Sequence, residues 1–290
     1  MPETSTRLAT AVTFAILSPL VATLAAAAAK YLSAYVSTGF IVLVQYGVCL
    51  VTLLPWLGKV GLEGLRTPYW KRHLIRGVSG WLCFYSYFVA LKHIPLVEAA
   101  LLRNSAPICV PFLVYFLTRT GITLPKLIGI LTGFAGVILI LHPKGTSISL
   151  WHGVGFVSGL TLALSMVYTR QLSETEPANR ILFFYFVIST VMSLPLALHD
   201  LRPVPLHTVP YLLFVGVSIF LTMKLYTLAY SAAPTNTLAP FSYFGVVFAG
   251  VLGWLFWNQT PDSRSLIGMA CVIGGGIITL LARDKPVLAG

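Results

Sequence analysis

Ten apolar segments, separated by short connections, follow one another along this chain of 290 residues. Each contains at least 18 residues, which at about 1.5 Å per residue lets a helix cross a hydrocarbon core about 30 Å thick. Lipid cannot hydrogen-bond free backbone groups, so segments of this kind must be helical. The pattern therefore predicts an all-α integral membrane protein with ten transmembrane helices. The predicted spans are residues 10–29, 38–57, 74–92, 96–118, 124–141, 151–170, 180–198, 210–230, 235–257 and 265–282.

The second five segments repeat the first five. Tyr87–Leu141 aligns without a gap on Tyr226–Leu280, an offset of 139, so that Gly136 falls on Gly275. Further upstream the offset is 140 residues. Five spans per repeat is an odd number, so the second copy must enter the membrane inverted relative to the first. Two inverted five-helix repeats are a common design of carriers that open one central site alternately to either side.

The positive charges predict the orientation. With the N-terminus inside, 12 of the 19 Lys and Arg residues fall on the inner side, five on the outer side and two within spans. Because cytoplasmic loops carry the excess of Lys and Arg, both termini are predicted to be cytoplasmic. The repeats are assigned to residues 1–145 and 146–290, which together form one transport domain.

Composition excludes other classes of protein. Hydrophobic residues make up 57% of the chain, charged residues only 9%, and the mean hydropathy is +0.86, unlike soluble domains. The net charge of +11 lies between apolar segments and forms no basic groove, so we expect no nucleic-acid partner. The four cysteines lack metal-ligand spacing, and no cofactor or metal site is expected.

The first segment has an alternative interpretation. Arg7 precedes an apolar run that ends in Ala25–Ala29, a pattern also seen in cleavable signal peptides. Removing it would leave nine spans and break the five-plus-five repeat. We therefore interpret it as the first transmembrane helix.

Among the charged side chains of the predicted spans, three are candidates for a substrate site, namely Glu98, Arg103 and Lys224. A charge at a helix centre costs about 2.5–3.5 kcal/mol, so such residues usually face a cavity or a partner. Arg103 and Lys224 lie roughly 10 and 9 Å from opposite membrane faces, on either side of the midplane where carriers hold substrate. The alternative is a permanent ion pair involving Glu98. Since the set is net positive, it favours a substrate with an acidic group.

Neighbouring polar and aromatic residues are the further candidates for a substrate site. Trp81 and Tyr85 lie on one face of the third span, and the repeat pairs Tyr85 with Lys224 at equivalent depth. Asn104 adjoins Arg103, and its repeat equivalent is Tyr243. Helix packing is the alternative role for the aromatic stripe.

Prolines and glycines within spans predict local backbone features. Pro107 and Pro111 are expected to break the fourth helix and Pro240 the ninth, because proline removes a hydrogen-bond donor and clashes with the preceding turn. Such a break leaves carbonyls free for a ligand, or it is simply a fixed kink. The spacing of Gly129 and Gly133 permits close helix packing.

With these motifs in view, the chain resembles the drug/metabolite transporter superfamily, in particular its EamA-type ten-helix members. The resemblance rests on the five-plus-five plan, on Tyr87–Pro95 and on Glu98–Pro107 at the start of the fourth span. It implies a carrier of the bacterial inner membrane that works by alternating access, commonly as an exporter of amino acids or other small metabolites. It does not imply an enzyme.

The sequence thus predicts a secondary active transporter that exports a small anionic or zwitterionic metabolite, such as an amino acid or a derivative. The expected partners are this small molecule and membrane lipid. A coupling proton, with Glu98 as its candidate carrier, and a homodimer are left open. The alternatives are a nucleotide-sugar, sugar-phosphate or lipid carrier of the same fold, and a multi-pass membrane transferase.

Overall fold

The computed structural model describes residues 2–118, 123–141, 149–200, 203–232, 244–260 and 262–281. These residues form eleven α-helices joined by short connections, two of which contain a 3-10 turn, Leu62–Leu65 and Leu206–Thr208. The helices are α1 (Pro2–Leu32), α2 (Thr38–Val60), α3 (Trp70–His93), α4 (Leu96–Arg103), α5 (Ala106–Thr118), α6 (Leu124–Leu141), α7 (Leu150–Ser173), α8 (Ala178–His199), α9 (Val209–Ala232), α10 (Phe244–Trp257) and α11 (Ser263–Leu281).

Seven segments of this structure are long and apolar enough to cross a membrane. They are α1, α2, α3, α7, α8, α9 and the pair α4–α5, and they coincide with seven of the predicted spans. Shorter apolar helices occupy the remaining three positions, at Leu127–Gly136, Phe244–Trp257 and Ser263–Ile278. The prediction of an all-helical membrane protein is confirmed, whereas the count of ten spans stays a prediction.

The fourth span is broken near its middle. Helix α4 ends at Arg103, Asn104 and Ser105 form a turn, and α5 begins at Ala106. The break predicted at Pro107 is therefore present, since a proline at the second position of α5 cannot continue the hydrogen bonds of α4. The break predicted at Pro111 was wrong, because α5 runs through it. A transmembrane helix tolerates one missing N–H where neighbouring groups compensate. Pro240 lies outside the described residues.

The principal helix contacts respect the repeat. Helix α1 packs on α9 as α3 packs on α7, and α2 packs on α9 as α3 packs on α8. Helix α10 packs on α1 as α4 and α5 pack on α7. Three further pairs join counterparts directly, namely α2 with α8, α6 with α11, and α4 with α10. The contacts are unchanged when each helix is replaced by its repeat counterpart, as expected for two halves related by a pseudo-twofold.

Glycines make the contact between α6 and α11. A Cβ on Gly136 would lie 2.6 Å from the carbonyl oxygen of Gly268, and a Cβ on Gly275 would collide with the backbone of Gly129 and Gly133. Gly136 and Gly275 are repeat equivalents, as are Gly129 and Gly268, so the two contacts are the same contact made twice. The predicted packing role of Gly129 and Gly133 is confirmed.

A buried carboxylate ties the connection between α2 and α3 to the connection between α7 and α8. The Glu176 side chain is 1% exposed and accepts hydrogen bonds from Arg180 Nη1 at 2.6 Å and Thr67 Oγ1 at 2.5 Å. Arg180 Nε also donates to the carbonyl oxygen of Gly64 at 2.6 Å. Because every ionised group in this Glu176 network has a partner, the network fixes the two connections against each other.

Candidate functional site

Arg103 lies at the break in the fourth span, where α4 ends. Its guanidinium carbon is 4.6 Å from the ring centre of Phe84 and 5.1 Å from that of Tyr87, both on α3. The side chain is half-buried, and its Nε atom is buried with no hydrogen-bond partner among the described residues. Aromatic faces attract the cation, but they offer its Nε–H no acceptor.

A second guanidinium, which the sequence analysis assigned to the cytoplasmic side, is buried nearby. Arg76 lies six residues into α3, is 7% exposed, and has its guanidinium carbon 4.1 Å from the ring centre of Tyr185 on α8. Its Nε and Nη1 atoms are buried and have no hydrogen-bond partner in the described part of the chain. Cys83 and Tyr185 interact electrostatically with Arg76 and with Arg103, which places the two arginines around one point.

Two tyrosines hold the helices around this point. Tyr46 on α2 and Tyr185 on α8 are buried, and their hydroxyl oxygens are 2.5 Å apart. Tyr46 belongs to the first half and Tyr185 to the second, so the two halves meet here. The Tyr185 hydroxyl also donates to the carbonyl oxygen of Gly80 at 3.4 Å, next to Arg76 on α3. The arginines therefore lie at the junction between the halves.

No carboxylate neutralises the two arginines among the residues that the structure describes. Glu98, Glu174 and Glu176 form their described ion pairs with other residues, namely His152, Arg170 and Arg180. Other buried side chains also have unpaired polar atoms, among them Gln45, through both amide atoms, and Ser189, through its hydroxyl. A desolvated polar group without a partner costs about 1–3 kcal/mol, and a charged one costs more. The excess of positive charge and free donors is the property expected of a site for an anionic group.

The aromatic residues predicted on the third span have separate roles. Trp81 is buried, and its indole Nε1 donates to the hydroxyl of Ser193 on α8 at 2.9 Å. Tyr85 stacks on Trp81 with ring centres 5.3 Å apart and is half-buried. Tyr85 also lines a cleft of about 270 Å³ with Lys92 and His199, between the start of α2 and the ends of α3 and α8. Trp81 thus helps to pack α3 on α8, and Tyr85 borders open space.

The other predicted site residues lie apart from Arg103. Glu98 contacts His152 on α7, with Nε2 and Oε2 3.1 Å apart. The Asn104 amide donates to the carbonyl oxygen of Ala100 at 2.8 Å and so caps the end of α4. Lys224 is exposed on α9, and no hydrogen bond or ion pair joins it to Arg103. Tyr243 lies outside the described residues.

The comparison with known protein families follows the same division into halves. A sequence profile described as "EamA-like transporter family" matches residues 9–142 and again residues 149–281. The chain belongs to the EamA-like transporter family. Since the two matches together cover nearly the whole chain, family membership does not depend on any single motif.

Curated EamA-like relatives are transporters with different substrates. The pseudopaline exporter CntI of Pseudomonas aeruginosa is 31% identical over 240 residues, which are 81% of this chain and 80% of that protein. A riboflavin transporter of Brucella anthropi is 25% identical over 253 residues, 83% of this chain and 87% of its own. An S-adenosylmethionine uptake transporter of Rickettsia bellii is 20% identical over 258 residues, 89% of both chains.

The fold also matches a solved structure. A crystal structure superimposes with a TM-score of 0.60 over 91% of this chain and 95% of that chain, at 19% sequence identity. This likeness concerns the fold alone. The apolar helices and the bacterial relatives indicate that this EamA-like transporter is a multi-pass protein of the bacterial inner membrane. The relatives support a small-metabolite transporter in place of an enzyme.

Proposed function

We propose that this protein is a secondary active transporter that exports a small anionic or zwitterionic metabolite, such as an amino acid or a derivative, by alternating access. Arg103 and Arg76 would bind its acidic group. The observation that carries the proposal is the pair of guanidiniums at the junction of the halves, with buried N–H groups that lack partners in the described chain. A carboxylate supplies the acceptors that both guanidiniums lack, in the planar geometry that arginine binds best.

The energetics favour a ligand over a purely structural role. Arginine within a span costs about 2.5–3.5 kcal/mol, and contact with an aromatic ring returns about 0.5–2 kcal/mol. Two such residues that face the same point also repel each other. A charge-assisted hydrogen bond contributes about 1.5–3 kcal/mol, so a bound carboxylate would offset much of this cost.

The duplicated architecture supports the transport mechanism. We infer two inverted five-helix repeats, residues 1–145 and 146–290, with both termini cytoplasmic and ten spans in total. The repeated helix contacts support this arrangement, since inverted halves exchange roles when a carrier opens to the other side. A broken helix at the substrate site is also typical of such carriers, and the fourth span is broken at Arg103.

The relatives support the class of function and differ in direction. The exporter CntI, at 31% identity, favours export of a metabolite. The S-adenosylmethionine relative, at 20% identity, is named for uptake. The alternatives of the same fold are nucleotide-sugar, sugar-phosphate and lipid carriers. A phosphate group would also satisfy two arginines, so the experiment must separate phosphate from carboxylate.

The test is a thermal-shift screen of the purified protein in detergent against amino acids, dicarboxylates, nucleotides and sugar phosphates. A ligand at 100 times its dissociation constant stabilises the folded state by about 2.7 kcal/mol. We expect carboxylate-bearing amino acids or derivatives to raise the melting temperature and sugar phosphates to have no effect.

Variants of the two arginines then locate the site. R103A and R76A should each weaken binding about 10- to 100-fold, as expected when a charged hydrogen bond is lost. R103K and R76K should show intermediate losses, because lysine retains the charge but not the planar fork. R170A is the matched control, since the Arg170 side chain is 79% exposed. Unchanged affinity in both alanine variants would contradict the proposal.

A further inference from the structure

The contact between Glu98 and His152 joins the two halves of the protein. Glu98 lies in the first turn of α4 and His152 in the first turn of α7, and their side chains are 14% and 5% exposed. The Glu98 Oε2 and His152 Nε2 atoms are 3.1 Å apart. A titratable pair at this position can change the contact between the halves when it gains or loses a proton.

The second nitrogen of His152 has no hydrogen bond to any described residue. Its Nδ1 atom is buried and unpartnered. In neutral His152, Nε2–H donates to the Glu98 carboxylate, and Nδ1 carries the free lone pair. A proton added at Nδ1 makes the imidazole cationic and converts the hydrogen bond to the carboxylate into an ion pair, which adds the attraction between opposite charges.

Among the described residues, few charged groups surround the pair. From α1, Lys30 interacts electrostatically with Glu98, while its Nζ donates to the carbonyl oxygens of Leu91 and Ile94 at 2.5 and 2.7 Å. From α3, the ring of exposed His93 stacks on Trp151 with centres 3.6 Å apart. Helices α5 and α10 contain no Asp, Glu, His, Lys or Arg. The other charged or titratable groups at the corresponding helix ends are Lys92 on α3, His199 on α8 and Arg264 on α11, whereas Arg180 lies at the opposite end of α8 in the Glu176 network.

We infer that the Glu98–His152 pair binds the coupling proton of this transporter. One proton passes from water to His152 Nδ1, and no bond between heavy atoms changes. The resulting ion pair stabilises the conformation in which α4 and α7 are joined at these ends, and loss of the proton lets them separate. By linkage, the joined conformation holds the proton more tightly. The inference rests on the proposed transport function and adds its driving ion.

The experiment measures the separation between the α3–α4 connection and the start of α7 without a substrate. Spin labels at K92C and L150C flank the pair, because exposed Lys92 lies near the end of α3, four residues before α4 begins, and Leu150, the first residue of α7, is 75% exposed two residues before His152. The four native cysteines are replaced by alanine, and the full chain is placed in lipid nanodiscs. Electron–electron double resonance then gives the distances at pH 5.5 and pH 8.

We expect the ratio of near to far populations to rise at least about fivefold at the lower pH, the lower end of typical coupling between sites. E98Q and H152Q should each abolish this response, and the double variant should have no further effect. E174Q and H207Q are the matched controls, since both side chains are exposed, and they should respond like the parent protein. A parent protein without a pH response, or single variants that keep it, would overturn the inference.

Two further arms keep the test decisive. If E98Q does not fold, E98D retains a carboxylate and should keep a reduced response, which H152Q added to it should remove. The thermal-shift screen tests the substrate separately. A protein that binds no compound but keeps the pH response supports the proton site and contradicts the proposed substrate. A protein that binds an amino acid but lacks the response overturns the proton site alone.

Discussion

A methyl group on Gly275 should destabilise the protein, whereas one on its neighbour Gly274 should not. A Cβ at Gly275 would meet the backbone of Gly129 and Gly133 on α6, and backbone cannot move aside as a flexible side chain can. A Cβ at Gly274 would meet nothing within 4 Å. The two positions share one helix, so G274A is a matched control for helix propensity.

The expected magnitude follows from two opposing terms. Overpacking a tight contact costs about 1–3 kcal/mol. Alanine favours a helix over glycine by about 0.8–1.0 kcal/mol, and both variants gain this. G274A should therefore be neutral or stabilised by about 1 kcal/mol, and G275A should lie roughly 1–3 kcal/mol below it, because the helix-propensity gain is common to both. At about 2–4 °C per kcal/mol, the melting temperatures should differ by roughly 2–12 °C.

The assay is thermal unfolding in detergent, followed by tryptophan fluorescence. G136A should lose as much stability as G275A, because Gly136 makes the equivalent contact with Gly268. Equal melting temperatures for G274A and G275A would refute the close packing of α6 on α11. Unequal losses for G136A and G275A would refute the reciprocal contact.

Two other predictions concern stability. E176A should destabilise the protein by about 3–5 kcal/mol because it leaves buried partners unpaired, whereas E174A, in an exposed pair with the same spacing, should change stability by less than about 1 kcal/mol. Equal melting temperatures of these two variants would contradict the Glu176 network. Y46F and Y185F should each cost about 0.5–1.5 kcal/mol, and in a double-mutant cycle the combined variant should lose less than the sum. Additive losses would show that the two hydroxyls do not bond to each other.

The features that the sequence predicted correctly depend on the chemistry of single residues. The break before Pro107 follows from its missing N–H, and the close approach of α6 and α11 follows from the absence of a side chain on Gly129 and Gly133. Neither of these requires knowledge of which helix lies opposite.

Arg76 was missed because its burial depends on a distant helix. It follows Lys71 and Arg72, so the local sequence resembles a cytoplasmic connection, and the predicted span began at residue 74. In the structure α3 begins at Trp70, and Tyr185 of α8 covers Arg76. One signal was available: Arg76, Cys83 and Tyr87 lie on one helical face at i, i+7 and i+11.

The surroundings of the Glu98 and Lys224 side chains could not be predicted for a related reason. Glu98 meets His152 across 54 residues, a contact that the relative register of two helices decides. Lys224 is the repeat equivalent of Tyr85, and the sequence predicted the two at equivalent depth. In the structure Tyr85 is half-buried and Lys224 is exposed. Equivalent positions share depth, but the side chains that neighbouring helices present to them differ.

This difference between the halves bears on how substrate would be held. The positions 139 residues after Arg76 and Arg103 are Val215 and Ser242, so both guanidiniums belong to the first half. The backbone contacts are symmetric, whereas the charge is not. An acidic group bound by both arginines would therefore remain with the first half while the second half moves against it. The contacts between the halves across which this movement would occur include α2–α8 and α4–α7, where Tyr46 meets Tyr185 and Glu98 meets His152.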